Sequence, residues 1–181
     1  MLKKIKKTEN LKASILIANY NNGQYLKECI DSIKKQNYRN IEIIVHDDAS
    51  SDNSIKKLNE YKNIKIIKNK KRGRYGSYNQ MNAYYRAFKK SKGEILFLLD
   101  SDDFFKKNKI KIIIDFFIKN KHISSLFDLP VYKYKNELKF IKNKKKIISN
   151  YWPYIPPQSC ITIKRDDFIK MFKKINFNLF P

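Results

Sequence analysis

The stretch Gly93-Glu94-Ile95-Leu96-Phe97-Leu98-Leu99-Asp100-Ser101-Asp102-Asp103 decides how the chain reads. An unbroken apolar run opened by Gly-Glu is the pattern of a strand buried on both faces. Open parallel sheets bind ligands outside the carboxyl ends of their strands, and here that end carries Asp100, Asp102 and Asp103. Carboxylate oxygens are the ligands that Mg²⁺ and Mn²⁺ prefer. Such a cation can clamp two substrate phosphates and neutralise a departing diphosphate. Taken alone, the same acids also read as a solvated turn capping the next helix.

Around this strand, the chain from Lys12 to Phe127 alternates short apolar runs with amphipathic stretches. Strands are expected at 13–18, 41–45, 64–67 and 94–99, and helices at 25–35, 54–61, 76–90 and 106–119. Such alternation with short links predicts right-handed βαβ units and a parallel sheet with helices on both faces. Beyond Phe127 the pattern changes: a hairpin over 129–134 and 138–141 turning at 135–137, a charge run at 142–146, and an aromatic and proline cluster at 151–157. A further strand at 159–163 and a helix at 166–174 follow. No internal repeat or Gly/Ser linker interrupts the chain, so 1–181 reads as one α/β domain. Its apolar end, Asn178-Leu179-Phe180-Pro181, reads as part of a longer protein.

Composition sets bounds on function. With 181 residues, 42% hydrophobic, there is enough chain for one sizeable core. Forty Lys+Arg against 17 Asp+Glu give a net charge of +23. Nucleic acid, an anionic membrane surface or a polyanionic small substrate would each suit that charge. The lysines are spread through nearly every segment, which equally suits a solvated surface. Cys29 and Cys160 match no metal spacing and read as free thiols of a reducing, cytoplasmic compartment. The basic start 1–7 lacks the apolar core of a signal peptide. No run reaches the ~18–20 apolar residues of a membrane span.

Polar residues follow three of the expected strands: Asn19-Tyr20-Asn21-Asn22-Gly23, His46-Asp47-Asp48-Ala49-Ser50-Ser51-Asp52, and Asp100-Ser101-Asp102-Asp103. In a parallel sheet these loops meet at one edge, where gathered carboxylates repel one another unless a cation sits among them. A basic loop at 68–74 carries Lys70, Lys71, Arg72 and Arg74, with Gly73 and Gly76 for close backbone approach to a diphosphate. It is not a P-loop, and no G-x-G-x-x-G follows the first strand, which argues against a dinucleotide cofactor. His46 reads as core-edge packing, and Asp166 and Asp167 as acids at a helix start.

The order and spacing of Ser14-Ile15-Leu16-Ile17-Ala18-Asn19-Tyr20-Asn21, Val45-His46-Asp47-Asp48-Ala49-Ser50-Ser51-Asp52 and Lys92-Gly93-Glu94-Ile95 leading into Asp100-Ser101-Asp102-Asp103 resemble the N-terminal part of a family-2 glycosyltransferase. The resemblance implies a GT-A fold, a Rossmann-like, mostly parallel sheet with a smaller acceptor-side part. Residues 11–105 would form the nucleotide-sugar-binding half and 106–181 part of the acceptor half. It implies a metal-dependent, inverting transfer from a nucleotide-diphosphate donor, most plainly a UDP-sugar, to an acceptor hydroxyl in surface glycan synthesis. The donor-binding residues it marks are Ala18, Tyr20, Asp48, Arg74, Asp100 and Ser101. Tyr20 would pack on the base and Asp48 would accept the imide N–H of uracil or thymine. Mn²⁺ or Mg²⁺ would be held by Asp102 and Asp100, with Asp103 assisting or capping the following helix. The catalytic base would lie beyond Pro181. Acceptors would be saccharides or lipid-linked saccharides at the cytoplasmic side of an anionic membrane; by their residue type alone, Tyr151, Trp152 and Tyr154 read equally as a stacking platform for an acceptor sugar and as core packing. No specific nucleic acid is implied. Where the family often has an Arg-Asn pair, this chain reads Ser77-Tyr78-Asn79-Gln80-Met81-Asn82-Ala83-Tyr84-Tyr85-Arg86, which leaves the register of the basic loop open.

Two other readings compete. A sugar nucleotidyltransferase would show a Gly-rich basic loop after the first strand, which Asn21-Asn22-Gly23 does not supply. A basic module for nucleic acid or anionic lipid would bind any polyanion with steep salt dependence and no need for divalent metal.

Overall fold

The computed structural model describes residues 10–134, 137–140 and 157–174. Their elements in chain order are β1 (Ala13–Asn19), α1 (Leu26–Lys34), β2 (Ile41–Asp47), α2 (Ser54–Asn59), β3 (Ile64–Lys68), α3 (Gly76–Lys89) and β4 (Ile95–Asp100). Then come α4 (Lys109–Lys119), β5 (Ser125–Phe127), β6 (Val131–Tyr134), β7 (Glu137–Phe140), a 3-10 turn (Gln158–Cys160), β8 (Ile161–Lys164) and α5 (Arg165–Lys174). The basic start, the turn residues 135–136, the charge run 142–146, the aromatic and proline residues 151–156 and the tail 178–181 lie outside the described residues.

Six strands form one sheet in the order β3-β2-β1-β4-β8-β5. β1 pairs in parallel with β2 and β4, and β2 with β3. β8 runs antiparallel to β4 and β5. The hairpin β6–β7 stands as a separate two-stranded sheet. The strand order reverses between β1 and β4, the switch point at which open α/β sheets leave a crevice.

Both faces of the sheet are covered, which is why β1 and β4 are apolar at successive positions. On one face α1 contributes Leu26, Cys29, Ile30 and Ile33, α2 Leu58, and α4 Ile110, Ile113, Ile114 and Phe117. These pack on Ile15, Ile17, Val45, Phe97 and Leu99. On the other, Tyr84 and Ala87 of α3 and Phe168 and Phe172 of α5 cover Leu16, Ile44, Leu96 and Leu98. Full burial of each large side chain contributes about 1.5–3 kcal/mol. Among the described residues no helix is long and apolar enough to cross a membrane.

One expected element needs correcting, and one observed element was not expected. The helix expected from 106 begins at Lys109, because Asn108 adopts a left-handed conformation (φ 72°) that no α-helix propagates. The carbonyl of Lys106 instead accepts from the Gln36 amide at 2.9 Å and, across a tight turn, from the Lys109 N–H at 3.1 Å. Asp103 therefore does not cap α4. Strand β5 escapes sequence reading because three residues carry no periodicity, and its pairing with β8 alone defines it.

At the amino ends of the strands a polar knot sets the register. The Gly93 N–H donates to Ser14 Oγ at 2.8 Å and to Glu42 Oε1 at 3.0 Å. A Cβ at residue 93 would lie 2.5 Å from Ser14 Oγ and 2.6 Å from the Lys12 carbonyl oxygen, so only glycine fits. Glu42 also accepts from Ser14 Oγ (2.7 Å), from the Lys92 N–H and from Lys65 Nζ (2.9 Å). Arg165 closes the knot from α5, donating Nε to the Gly93 carbonyl and Nη2 to Ser91 Oγ, both at 2.7 Å. Burial alone would raise the Glu42 carboxyl, but its bonds from Lys65, Ser14 and the Lys92 amide outweigh that and hold it at about 2.

A carboxyl depressed on folding contributes stability above its unfolded value and loses it as pH falls through the folded one. Glu42→Gln is expected to cost about 2 kcal/mol at pH 7. Urea melts of parent and variant should converge as the pH falls from about 4.5 towards about 2. A gap equally wide at pH 7 and pH 3 would show that the ionised carboxylate is not what stabilises the knot.

Candidate active site

The carboxyl ends of β1, β2 and β4 are tied together before any ligand is considered. In register Asn19 stands beside Asp47, and Ala18 beside both His46 and Asp100. Asn19 Nδ2 donates to Asp47 Oδ2 at 2.7 Å, and the Ser50 N–H and hydroxyl also donate to Asp47, at 3.0 and 2.7 Å. The Asn21 amide carbonyl accepts from the Ser51 N–H at 2.8 Å, and Asp52 accepts from the Gly23 N–H at 2.8 Å. Two loops are thus fastened to each other by side chains on main-chain donors. Ala49 sits among them with φ 59°, a left-handed conformation that costs a non-glycine residue about 1 kcal/mol.

Above these ties lies a cleft of about 330 Å³ lined by Ala18, Asn19, Tyr20, Asn22, Asp48, Arg72, Gly76, Asn79, Gln80, Ala83, Asp100 and Asp102. Five residues marked by sequence, Ala18, Tyr20, Asp48, Asp100 and Asp102, therefore meet in it. Ser101 and Arg74 do not line it. Ser101 is fully buried, its hydroxyl accepting from Asn22 Nδ2 at 3.0 Å. Arg74 is exposed, with its guanidinium 5.6 Å from the Tyr75 ring centre. Arg72 takes the inward place in the basic loop. Its Nε donates to Asp48 Oδ2 at 3.2 Å and its guanidinium lies 3.4 Å from the Tyr20 ring centre. Asn69 Nδ2 donates to the other Asp48 oxygen at 2.9 Å.

Asp100 differs from Asp102 in its surroundings. Its Oδ1 accepts from Tyr84 Oη at 2.6 Å and Gln80 Nε2 at 2.7 Å. Burial pushes its carboxyl up from the usual range, and repulsion from Asp103 and Asp102 adds to that, against the two hydrogen bonds. Burial beside Asp100 likewise drives the Tyr84 phenol up, so it stays a neutral donor. Asp102 is exposed at the cleft mouth. The Asp103 carboxylate turns away to accept from Ser159 Oγ at 2.5 Å.

This donor set fits a hard divalent cation. A carboxylate whose negative charge is disfavoured by burial and by neighbouring acids gains from a bound cation. Among the described residues no three His, Cys, Asp or Glu side chains gather into a cage. His46 is fully buried, and among the described residues neither of its ring nitrogens has a hydrogen-bond partner. Burial pulls its imidazole down towards the neutral form.

Sequence reading missed Asn69, Gln80 and Tyr84 as site residues, and of the basic loop it marked Arg74 for the diphosphate where Arg72, named beside it, turns inward. Only the pair on α3 left a signal: Gln80 and Tyr84 stand one helical turn apart and so share a face, here the face towards Asp100.

Comparison with known proteins gives a consistent picture. A sequence model described as Glycosyl transferase family 2 matches residues 14–177. An uncharacterized glycosyltransferase of Nostoc sp., alr2836, is 28% identical over 179 residues, covering 90% of this chain and 53% of that protein. The Escherichia coli UDP-Glc:alpha-D-GlcNAc-diphosphoundecaprenol beta-1,3-glucosyltransferase WfgD is 36% identical over 110 residues, 59% of this chain and 41% of its own. The crystal structure of S. aureus TarS 1-349 in complex with UDP-GlcNAc aligns with a TM-score of 0.63 at 22% identity, over 90% of this chain and 48% of that one. This last likeness is one of fold, and the fold is GT-A. The chain spans about a third to a half of the length of the curated relatives it matches.

The two adjacent acids after β2 should separate in experiment. Asp47→Ala removes the acceptor of three donors from a fully enclosed position and is expected to cost about 2–3 kcal/mol of stability by urea melt. Asp48→Ala leaves Arg72 free to reach water and is expected to cost less than about 1 kcal/mol, because a partly exposed pair contributes little. Equal losses would contradict this division.

Proposed function

We propose that this chain, which belongs to glycosyl transferase family 2, binds a UDP-linked sugar in the cleft between β1, β2 and β4, and that the protein transfers the sugar to an acceptor hydroxyl with inversion. The observation that carries this reading is the convergence of Tyr20, Asp48, Asp100 and Asp102 from three separate loops on one cleft. Two similar proteins support the choice of donor and acceptor: WfgD uses UDP-Glc and a diphosphoundecaprenol-linked acceptor, and TarS was crystallised with UDP-GlcNAc.

Each side chain has a task that its chemistry suits. The Tyr20 ring is the stacking platform for the base. The Asp48 carboxylate, which only accepts, meets the imide N–H of uracil and is aimed by Asn69. The base takes the face of Tyr20 that Arg72 covers in the free protein, and the displaced guanidinium is then placed to meet the diphosphate as a bidentate fork. Gly76, at the start of α3 with open space around it, lets main chain approach the donor. Asp100 holds the ribose side, its orientation set by Gln80 and Tyr84. Asp102 and Asp100 would hold Mn²⁺ or Mg²⁺, which supplies charge neutralisation to the leaving diphosphate, commonly the largest electrostatic contribution to such transfers. We assign no described residue as the base: Asp166 and Asp167 open α5, and Asp167 pairs with Lys170 at 3.1 Å. The acceptor is a saccharide or lipid-linked saccharide of surface glycan synthesis, and the basic surface suits work beside an anionic membrane.

Calorimetric titration of UDP with and without Mn²⁺ tests the reading. The parent chain is expected to bind UDP more tightly with Mn²⁺, and Asp102→Ala to lose that gain while melting like the parent. A folded chain that binds no UDP in either condition would remove the assignment. Salt-sensitive, metal-indifferent binding of any polyanion would favour a basic binding module instead.

A further inference from the structure

The main-chain pairing of β4 with β8 stops at Phe97–Thr162, three residues short of Asp100. Beyond it, β8 is preceded by the 3-10 turn Gln158–Cys160, so its backbone no longer faces the end of β4. The Asp100 N–H is instead taken by the Ser159 side chain, Oγ accepting at 3.0 Å. The same hydroxyl donates its proton to Asp103 Oδ2 at 2.5 Å. One buried hydroxyl therefore bridges the first and last acids of the Asp100–Asp103 loop, although it lies 59 and 56 residues away in sequence.

Ser159 is itself held. Lys109 Nζ, at the first turn of α4, donates to its carbonyl at 2.7 Å and is fixed in turn by Asp128 at 2.9 Å. On the opposite side the loop is tied to β1, where the Ser101 N–H donates to the Ala18 carbonyl at 3.1 Å. With both flanks fastened, Asp102 stands exposed at the cleft mouth.

We propose that Ser159 is a positioning residue: by bridging the Asp100 amide and the Asp103 carboxylate it presets the loop from which Asp100 and Asp102 take a divalent cation and the donor diphosphate. Asp103 then serves as the anchor of this bridge and not as a cation ligand. The proposal rests on the donor-site reading above. It makes the quality of the cation site depend on β8 and α4, elements outside the donor half. Groups that orient metal ligands without touching the metal typically change affinity by about 10- to 100-fold.

Ser159→Ala and Ser159→Thr, made in the full chain, test it. Mn²⁺ is titrated calorimetrically into protein saturated with UDP, and UDP into metal-free protein. Ser159→Ala is expected to weaken Mn²⁺ about tenfold and to leave metal-free UDP affinity within about twofold. Ser159→Thr, which keeps the hydroxyl, is expected to restore Mn²⁺ affinity. Amide exchange, which needs no ligand, should show the Asp100 N–H exchanging at least about tenfold faster in Ser159→Ala than in the parent. Parental Mn²⁺ affinity in Ser159→Ala, or an equal loss of metal-free UDP binding, would overturn the positioning role while leaving the donor site standing. A parent chain that takes up neither UDP nor Mn²⁺ would overturn both.

Discussion

The approach of Gly93 to β1 is the constraint on which the rest of the structure depends. No side chain fits between that glycine and Ser14, so β4 can enter the sheet in one register only. From that contact the pairing runs as Ala13 with Ile95 through to Ala18 with Asp100. The same ladder on the other side of β1 ends with Asn19 beside Asp47. A slip by one residue would turn every side chain of a strand to the opposite face. Asp100 would then leave the cleft and Leu99 would enter it. The polar knot at one end of the sheet therefore sets the geometry of the cleft at the other.

Acids at the carboxyl ends come in adjacent pairs with opposite fates. Asp47 is enclosed and spends its lone pairs on Asn19 and Ser50, while Asp48, also buried, lines the cleft and is held by Asn69 and by the partly exposed Arg72. Asp103 is committed to Ser159, while Asp102 is exposed. In each pair one carboxylate builds the loop and its neighbour remains available to a ligand. The division arises at the end of β2 in the first pair and, in the second, in a turn that the Asp103 N–H closes on the Asp100 carbonyl at 3.0 Å. It also limits repulsion, because the structural member of each pair is neutralised by donors before the site meets any substrate.

The layered α/β architecture was legible in the sequence because parallel strands covered on both faces leave unbroken apolar runs, as in Ile95 to Leu99. So was the clustering of Tyr20, Asp48, Asp100 and Asp102, which follows from strand ends alone. What escaped reading depends on distant partners. β5 exists only through β8, and the role of Ser159 only through a loop 56 residues earlier. The start of α4 moved because Asn108 adopts a left-handed conformation that no local pattern announces. Arg72 and Arg74 are chemically alike, so which one turns inward is settled by Asp48 and Tyr20 and not by the loop itself.

Among the described residues the sheet order leaves β3 and β5 as its two edges. An edge strand offers unpaired main-chain groups to any other extended chain, and proteins commonly guard such edges with short strands or with lysine. β5 is only three residues long. β3 reads Ile-Lys-Ile-Ile-Lys, and both its lysines are exposed. Two of the chain's many lysines thus stand where charge guards a sheet edge, a duty unrelated to phosphate, because an extended neighbour would have to desolvate them to pair with β3.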